Sequence, residues 1–228
     1  MIPWETLDAA EARDGGVLRL MRRGGEFSIR LEGGELMNSR SSGSETALAT
    51  LSFELLAGRR APRVLIGGLG MGFTLRAAQA AAAPNARLVV AELAPEVVRW
   101  ARGPMAELFG DSLSDPRVEL RVADVRDIVR ERPAAFDAIL LDVDNGPAGL
   151  TRPANDALYD ERGLGEARRA LRPEGVLAVW SAAPDAAFTR RLAGCGFDVT
   201  ARTVRGGRNR RGPRHMIWLA RAPSSGRG

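Results

Sequence analysis

Four short strand-like runs between residues 63 and 142 each stop at a glycine or close to an acidic residue, and helix-compatible stretches separate them. The runs occupy residues 64–66, 88–91, 118–122 and 136–141. Short apolar strands that alternate with helices are typical of a parallel sheet covered by helices on both faces. This order predicts a Rossmann-like, doubly wound α/β domain.

The predicted sheet has seven strands, because further runs follow at 176–180, 197–204 and 215–219. The short loop between the last two indicates an antiparallel hairpin at the edge of the mostly parallel sheet. Upstream, glycine pairs separate alternating runs within residues 17–37, which predicts a small N-terminal β-hairpin region. We expect this region at 1–45, the Rossmann-like domain at 46–222 and a flexible tail at 223–228.

Helices are expected between these strands. The first spans 45–57, with Ser44 as the candidate N-cap. The others run from the glycines after residue 66 to about 82, and over 95–109, 156–171 and 185–193.

The composition excludes several classes of chemistry. All 33 basic residues are arginine, which excludes a Schiff-base lysine and the lysine of a P-loop. A single cysteine and a single histidine argue against a disulfide framework and against a zinc site, so no metal is expected. No apolar run is long enough to span a bilayer, and residues 1–16 lack the apolar segment of a secretory signal. We therefore expect a cytoplasmic protein without membrane contact.

The net charge of +5 is largely a local feature, because arginines are concentrated within residues 202–214. This stretch lacks the interleaved aromatic side chains that stack on bases, so it is predicted to be a solvated hairpin loop. Nucleic acid is not an expected partner.

The residues that follow the strands point to a nucleoside, since ligands of such sheets bind at the carboxyl ends of the strands. Glycines follow the first strand and allow close approach of a ligand, a carboxylate after the second can accept two ribose hydroxyls, and an acid after the third can meet an adenine amino group. Each acid could also be an ordinary helix N-cap. The candidate nucleoside-binding residues are Gly67, Gly68, Gly70, Gly72, Glu92, Asp124 and Val125.

As a set, these segments resemble the spermidine synthase family over roughly residues 27–182. The family typically shows a GGGDGG loop, a strand-end Glu, DPRV before an adenine-binding Asp, and a YDVI-x-D-S-S-D-P segment. The matching segments here are Val64-Leu65-Ile66-Gly67-Gly68 to Gly72, Glu92, Asp115-Pro116-Arg117-Val118 leading to Asp124, and Phe136 to Asp142 with Gly146-Pro147. The resemblance implies a class I S-adenosylmethionine-dependent methyltransferase fold preceded by a small β-hairpin region.

The resemblance also implies an activity: transfer of an aminopropyl group from decarboxylated S-adenosylmethionine to putrescine or another amine. Asp142 matches the family's catalytic Asp by position, and Asp144 is the second catalytic candidate. The donor is a co-substrate, and the expected partners are a small amine or another small acceptor and, as an open alternative, a second copy of the chain. The candidate acceptor-side residues are Asn145, Tyr159 and Trp180. Tyr159 and Trp180 could equally be core aromatics.

Several positions depart from the family pattern. Met71 stands at the acid of the glycine loop, which in the family helps to hold the aminopropyl amine, and Asn145 stands at the second Asp of the D-S-S-D segment. The family's N-terminal Gln and Tyr positions fall near Met37 and Thr46. Two alternatives therefore stay open: a methyltransferase that uses ordinary S-adenosylmethionine, and a non-catalytic adenosine-binding scaffold.

Overall fold

The computed structural model describes residues 2–12, 15–32, 34–143, 146–147, 157–207 and 212–224. It contains two sheets, one of four strands near the N-terminus and one of seven strands that forms the centre of the molecule. In the described ranges, no helix is both long enough and apolar enough to cross a membrane.

The N-terminal sheet is an antiparallel meander of β1 (Glu5–Glu11), β2 (Val17–Arg23), β3 (Glu26–Leu31) and β4 (Gly34–Asn38). The sequence predicts the β2–β3 hairpin but not β1, whose composition is largely polar and charged. Pairing with β2 forms β1, and Asp8 of β1 accepts a hydrogen bond from Trp100 Nε1 at 2.7 Å. The predicted hairpin region is therefore a four-stranded sheet docked onto the rest of the protein.

The central sheet confirms the predicted fold class. Its strands are β5 (Arg63–Gly67), β6 (Arg87–Glu92), β7 (Val118–Val122), β8 (Phe136–Leu141), β9 (Leu171–Ser181), β10 (Asp198–Arg205) and β11 (Arg214–Arg221). They lie in the order β10-β11-β9-β8-β5-β6-β7. The strands β5 to β9 run parallel, and β11 pairs antiparallel with both β9 and β10. The edge hairpin is thus present as predicted.

Helices cover both faces of this sheet. They are α1 (Gly43–Leu55), α2 (Phe73–Ala81), α3 (Pro95–Arg102), α4 (Ala106–Phe109), α5 (Val125–Glu131), α6 (Glu161–Ala170) and α7 (Ala186–Gly194), with a 3-10 helix at Gly110–Ser114. Alternate strand residues point to opposite faces. Val64 and Ile66 of β5 therefore join one core with the N-terminal sheet, α1, α2 and α3, whereas Leu65 joins a second core with α5, α6 and α7.

Three helix predictions need correction. The N-cap of α1 is Ser42, not Ser44, because the Gly43 N–H donates to Gly206 O at 2.7 Å and the helix begins earlier. The helix expected over 95–109 is broken after Arg102, where glycine and proline interrupt the hydrogen-bond ladder. The helix expected over 156–171 is interrupted at Asp160: residues 157–159 are helical, and α6 begins at Glu161, where Asp160 caps it by accepting a hydrogen bond from Gly163 N.

Candidate functional site

Two adjoining cavities open at the carboxyl ends of the central strands. The first cavity has a volume of about 280 Å³ and is lined by Leu36, Met37, Asn38, Ser41, Ser44, Glu45, Leu69, Gly70, Met71, Phe73, Asp142, Trp180, Pro213 and His215. The second has a volume of about 130 Å³ and is lined by Leu18, Ile29, Leu36, Met37, Gly68, Gly70, Ala91, Glu92, Leu93, Ala94, Val97, Ala123, Asp124, Val125, Asp142 and Val143. Asp142 lines both, so it lies on the boundary between them.

The glycine loop after β5 forms part of both cavities. Gly68 has φ of +91°, and a Cβ there would overlap with the backbone oxygen of Asp142, so only glycine fits. Gly70 lines both cavities. Gly67 packs beneath the loop, where a Cβ would lie 3.0 Å from Val125 Cγ2. Gly72 packs against α4, because a Cβ there would lie 2.5 Å from the Phe109 ring, and neither Gly67 nor Gly72 lines either cavity.

Glu92 ends β6 in the wall of the second cavity. Its Oε2 accepts from Leu69 N and its Oε1 from Ala94 N, both at 2.9 Å. Burial raises the pKa of Glu92, and the surrounding backbone N–H groups act against that rise. Because a carboxylate oxygen has two lone pairs, each oxygen can accept one more hydrogen bond. The position suits a diol that donates two hydroxyls.

Asp124 and Val125 follow β7, the strand next to β6, and line the second cavity beside Glu92. Asp124 is the N-cap of α5, and its Oδ1 accepts from Arg126 N at 2.8 Å. Both residues line the cavity. Capping and ligand contact are therefore compatible at Asp124, because the cap uses one lone pair of the carboxylate.

Asp142 follows β8 and is held from α2. Its Oδ2 accepts a hydrogen bond from Thr74 Oγ1 at 2.6 Å, and the Thr74 side chain is buried. Desolvation and the negative charge of Glu45 raise the pKa of Asp142 to about 7, while the Thr74 hydrogen bond lowers it. A carboxylate with this pKa can exchange a proton near neutral pH.

Comparison with known proteins gives a relative for this arrangement. A polyamine aminopropyltransferase of Mycobacterium tuberculosis is 30% identical to the chain over 168 residues, which cover 72% of the chain and 30% of that protein. The chain is a relative of the polyamine aminopropyltransferases. It spans less than a third of the length of this relative. No known protein-family profile matches the chain.

Solved structures of spermidine synthases share the fold. The enzyme from Thermotoga maritima superposes with a TM-score of 0.75 at 18% identity, covering 96% of this chain and 74% of that one. A spermidine synthase in complex with the transition-state analogue AdoDATO gives the same TM-score of 0.75 at 18% identity, covering 96% of this chain and 73% of that one. The spermidine synthase resemblance predicted from the motifs is thus confirmed, and with it the class I methyltransferase-like fold.

The structure separates the acceptor-side candidates. Trp180 lines the first cavity and stacks against His215, with ring centroids 4.9 Å apart. Tyr159 is buried on the other side of the sheet, packs edge-on against Phe188, and lines neither cavity. Asp144 and Asn145 lie outside the described residues, so their predicted roles stay predictions.

Sequence reasoning did not assign three of the contributors to the site. Glu45 of α1 and His215 of β11 line the first cavity, and Thr74 of α2 holds Asp142. Their partners are distant in sequence, with Thr74 and Asp142 separated by 68 positions. Glu45 follows the serines that begin α1 and carried only a helix prediction. No local pattern distinguishes it from any acid in a first helical turn.

Proposed function

We propose that the chain transfers an aminopropyl group from decarboxylated S-adenosylmethionine to a small amine. The observation that carries the proposal is the charge of the cavity walls. Among the described residues that line the two cavities, the charged side chains are the carboxylates Glu45, Glu92, Asp124 and Asp142. No arginine of the described chain is among them, although the sequence contains 33 basic residues, all of them arginine.

An acidic wall favours cationic ligands. Decarboxylated S-adenosylmethionine carries a sulfonium and an ammonium, and a protonated amine acceptor adds another cation. The carboxylated donor of a methyltransferase brings a carboxylate, which Glu45 and Asp142 would repel. The balance of charge therefore supports the decarboxylated donor over the ordinary one.

The second cavity suits the nucleoside half of this donor. Glu92 offers two acceptor positions for a ribose diol, and Asp124 offers an acceptor for an exocyclic amino group. Val125, Ala91 and Val97 give the apolar surface that a purine ring needs. When bound, the donor supplies an electrophilic carbon beside its sulfonium.

We assign the proton of the acceptor amine to Asp142. The amine nitrogen attacks the carbon next to the sulfonium, the carbon–sulfur bond breaks, and the sulfur keeps the electron pair to give methylthioadenosine. The nitrogen must lose a proton, and the Asp142 carboxylate on the boundary between the cavities accepts it. Thr74 occupies Oδ2, which leaves Oδ1 for this proton.

Product analysis tests the proposal. The purified protein is incubated with either donor and a panel of primary amines, and the products are separated by mass spectrometry. We expect methylthioadenosine and an aminopropylated amine with the decarboxylated donor. Asp142→Asn should lower turnover by roughly a hundredfold or more while binding of methylthioadenosine is largely kept.

Two results would contradict the proposal. Methylated product with S-adenosylhomocysteine from the ordinary donor would make the chain a methyltransferase. Tight nucleoside binding with no turnover on any acceptor would support the scaffold alternative.

A further inference from the structure

Glu45 is an acid of the first cavity without an ion-pair partner in the part of the chain that the structure describes. The other carboxylates of the two cavities have local partners: Glu92 accepts from backbone N–H groups, Asp124 caps α5, and Asp142 accepts from Thr74. Glu45 accepts at Oε2 from the neighbouring Ser44 hydroxyl, at 2.7 Å. Its negative charge is therefore available to a cationic ligand in the first cavity.

The position of Glu45 keeps that charge in place. The residue lies in the first turn of α1, where the helix dipole favours a negative charge. The start of this helix is fixed by the β10–β11 hairpin, because Gly43 N and Ser41 Oγ both donate to Gly206 O, at 2.7 and 2.6 Å. Glu45 is thus held on a rigid support, which lowers the entropic cost of binding a ligand.

Glu45 faces the reacting side of the cavity. Its charge raises the pKa of Asp142 and acts in the same direction on His215, whose pKa is lowered overall by burial. It is close enough to influence both, and all three residues line the first cavity. It lines the first cavity and not the second, so it lies beyond Asp142 as seen from Glu92 and Asp124.

The glycine loop offers no alternative acid. It contributes Leu69, Gly70 and Met71 to the first cavity, and none of these can neutralise a cation. Within the described lining, Glu45 and Asp142 are the carboxylates of this cavity, and Asp142 must be free to take a proton.

We propose that Glu45 binds a primary ammonium group of a substrate in the first cavity. The inference rests on the proposed function and deepens it by assigning the binding of that ammonium to α1. The ammonium belongs either to the aminopropyl arm of the donor or to the amine acceptor, and both present the same chemistry to the carboxylate: three N–H donors and one positive charge.

Calorimetry with three ligands tests the proposal and separates these sources. Methylthioadenosine lacks the ammonium, decarboxylated S-adenosylmethionine carries it on the donor arm, and putrescine is titrated with methylthioadenosine present. Wild type is compared with Glu45→Gln, which keeps the shape and removes the charge, and with Glu54→Gln on the exposed side of the same helix. Circular dichroism checks that each variant is folded.

We expect Glu45→Gln to leave methylthioadenosine binding within about twofold and to weaken one ammonium ligand by about 10- to 100-fold, as for a lost charge-assisted hydrogen bond. Loss on the decarboxylated donor assigns the ammonium to the donor, and loss on putrescine assigns it to the acceptor. Glu54→Gln should match wild type for all three ligands.

Equal affinity of wild type and Glu45→Gln for both ammonium ligands overturns the proposal, and turnover by the wild type then leaves the proposed function standing. If Glu45→Gln weakens binding of an ammonium ligand but the wild type shows no turnover, the proposal for Glu45 stands and the proposed function is wrong. If the wild type binds neither ammonium ligand, both inferences are wrong. A shift of the pH–rate profile alone, with unchanged affinities, would reduce Glu45 to an electrostatic neighbour of Asp142.

Discussion

At the scale of single residues, the proposed base Asp142 is tuned by its hydrogen bond with Thr74. The hydroxyl donates to one carboxylate oxygen at 2.6 Å and so stabilises the ionised form, while desolvation and Glu45 favour the protonated form. The outcome is a pKa of about 7 for Asp142. A base must be ionised to accept a proton, so turnover should fall as the pH drops below this value.

Replacing Thr74 should move this pH dependence. Thr74→Val removes the hydrogen bond to the ionised carboxylate, which raises the pKa of Asp142, so the acidic limb of the kcat/KM profile should shift to higher pH. Thr74→Ser keeps the hydroxyl and should restore the profile. The exposed Thr50, whose hydroxyl donates to Thr46 O in α1, provides the control variant Thr50→Val. Identical profiles for Thr74→Val and wild type would show that the hydroxyl does not tune Asp142.

At the scale of elements, Gly72 supports the packing of α2 rather than either cavity. It is the N-cap of α2 with φ of +74°, and the Phe109 ring occupies the space where a Cβ would stand. The sequence predicts a nucleoside-binding role for Gly72 with the other loop glycines. Its placement indicates that its main contribution is to let α4 approach the glycine loop.

A pair of glycine variants separates these roles. Gly72→Ala should lower the free energy of unfolding by about 1–2 kcal/mol for the left-handed backbone alone, with a further cost at Phe109. Gly165→Ala, in α6 with nothing within 4 Å of the added methyl, should raise it by about 0.4–1 kcal/mol. Urea titrations measure both. If Gly72→Ala has wild-type stability but binds methylthioadenosine more weakly, Gly72 contributes to nucleoside binding rather than to the packing of α2.

The central strands could be predicted from sequence because their signal is local. Strand β8 is buried along its whole length and stops at Asp142, and its predicted bounds match the structure. Strand β1 could not be predicted, since its polar composition becomes a strand only by pairing with β2. The strand-end positions of Glu92 and Asp124 follow from the same local pattern. The site positions of Glu45 and Thr74 could not be predicted, because only the tertiary fold brings these residues near Asp142.

At the scale of the whole molecule, the N-terminal sheet covers the second cavity. Leu18, Ile29 and Met37 line that cavity from above, while Glu92 and Asp124 line it from the central sheet. Asp8 of this sheet contacts α3: it accepts a hydrogen bond from Trp100 Nε1 at 2.7 Å and forms an ion pair with Arg99. These hydrogen bonds from Trp100 and Arg99 lower the pKa of Asp8, so the contacts should persist into mildly acidic solution.

Removing the Asp8 contacts should weaken the attachment of the N-terminal sheet to α3. Asp8→Ala should weaken methylthioadenosine binding several-fold and speed amide hydrogen exchange in β1, because the sheet then loses its hydrogen bond and ion pair to α3. Glu5→Ala is the matched control, since Glu5 lies exposed on the same strand and pairs with Arg22 within the sheet. Equal effects of the two substitutions on ligand affinity would mean that the Asp8 contacts do not hold the N-terminal sheet.

The boundary between the two cavities bears on whether the two substrates must be bound together. Asp142, Gly70, Leu36 and Met37 each line both spaces, so the two cavities adjoin along these residues. Under the proposed function the two substrates meet at this boundary, so the transferred carbon moves by little more than the length of a bond and no residue carries it covalently. The proposed reaction then requires both substrates to be bound at the same moment.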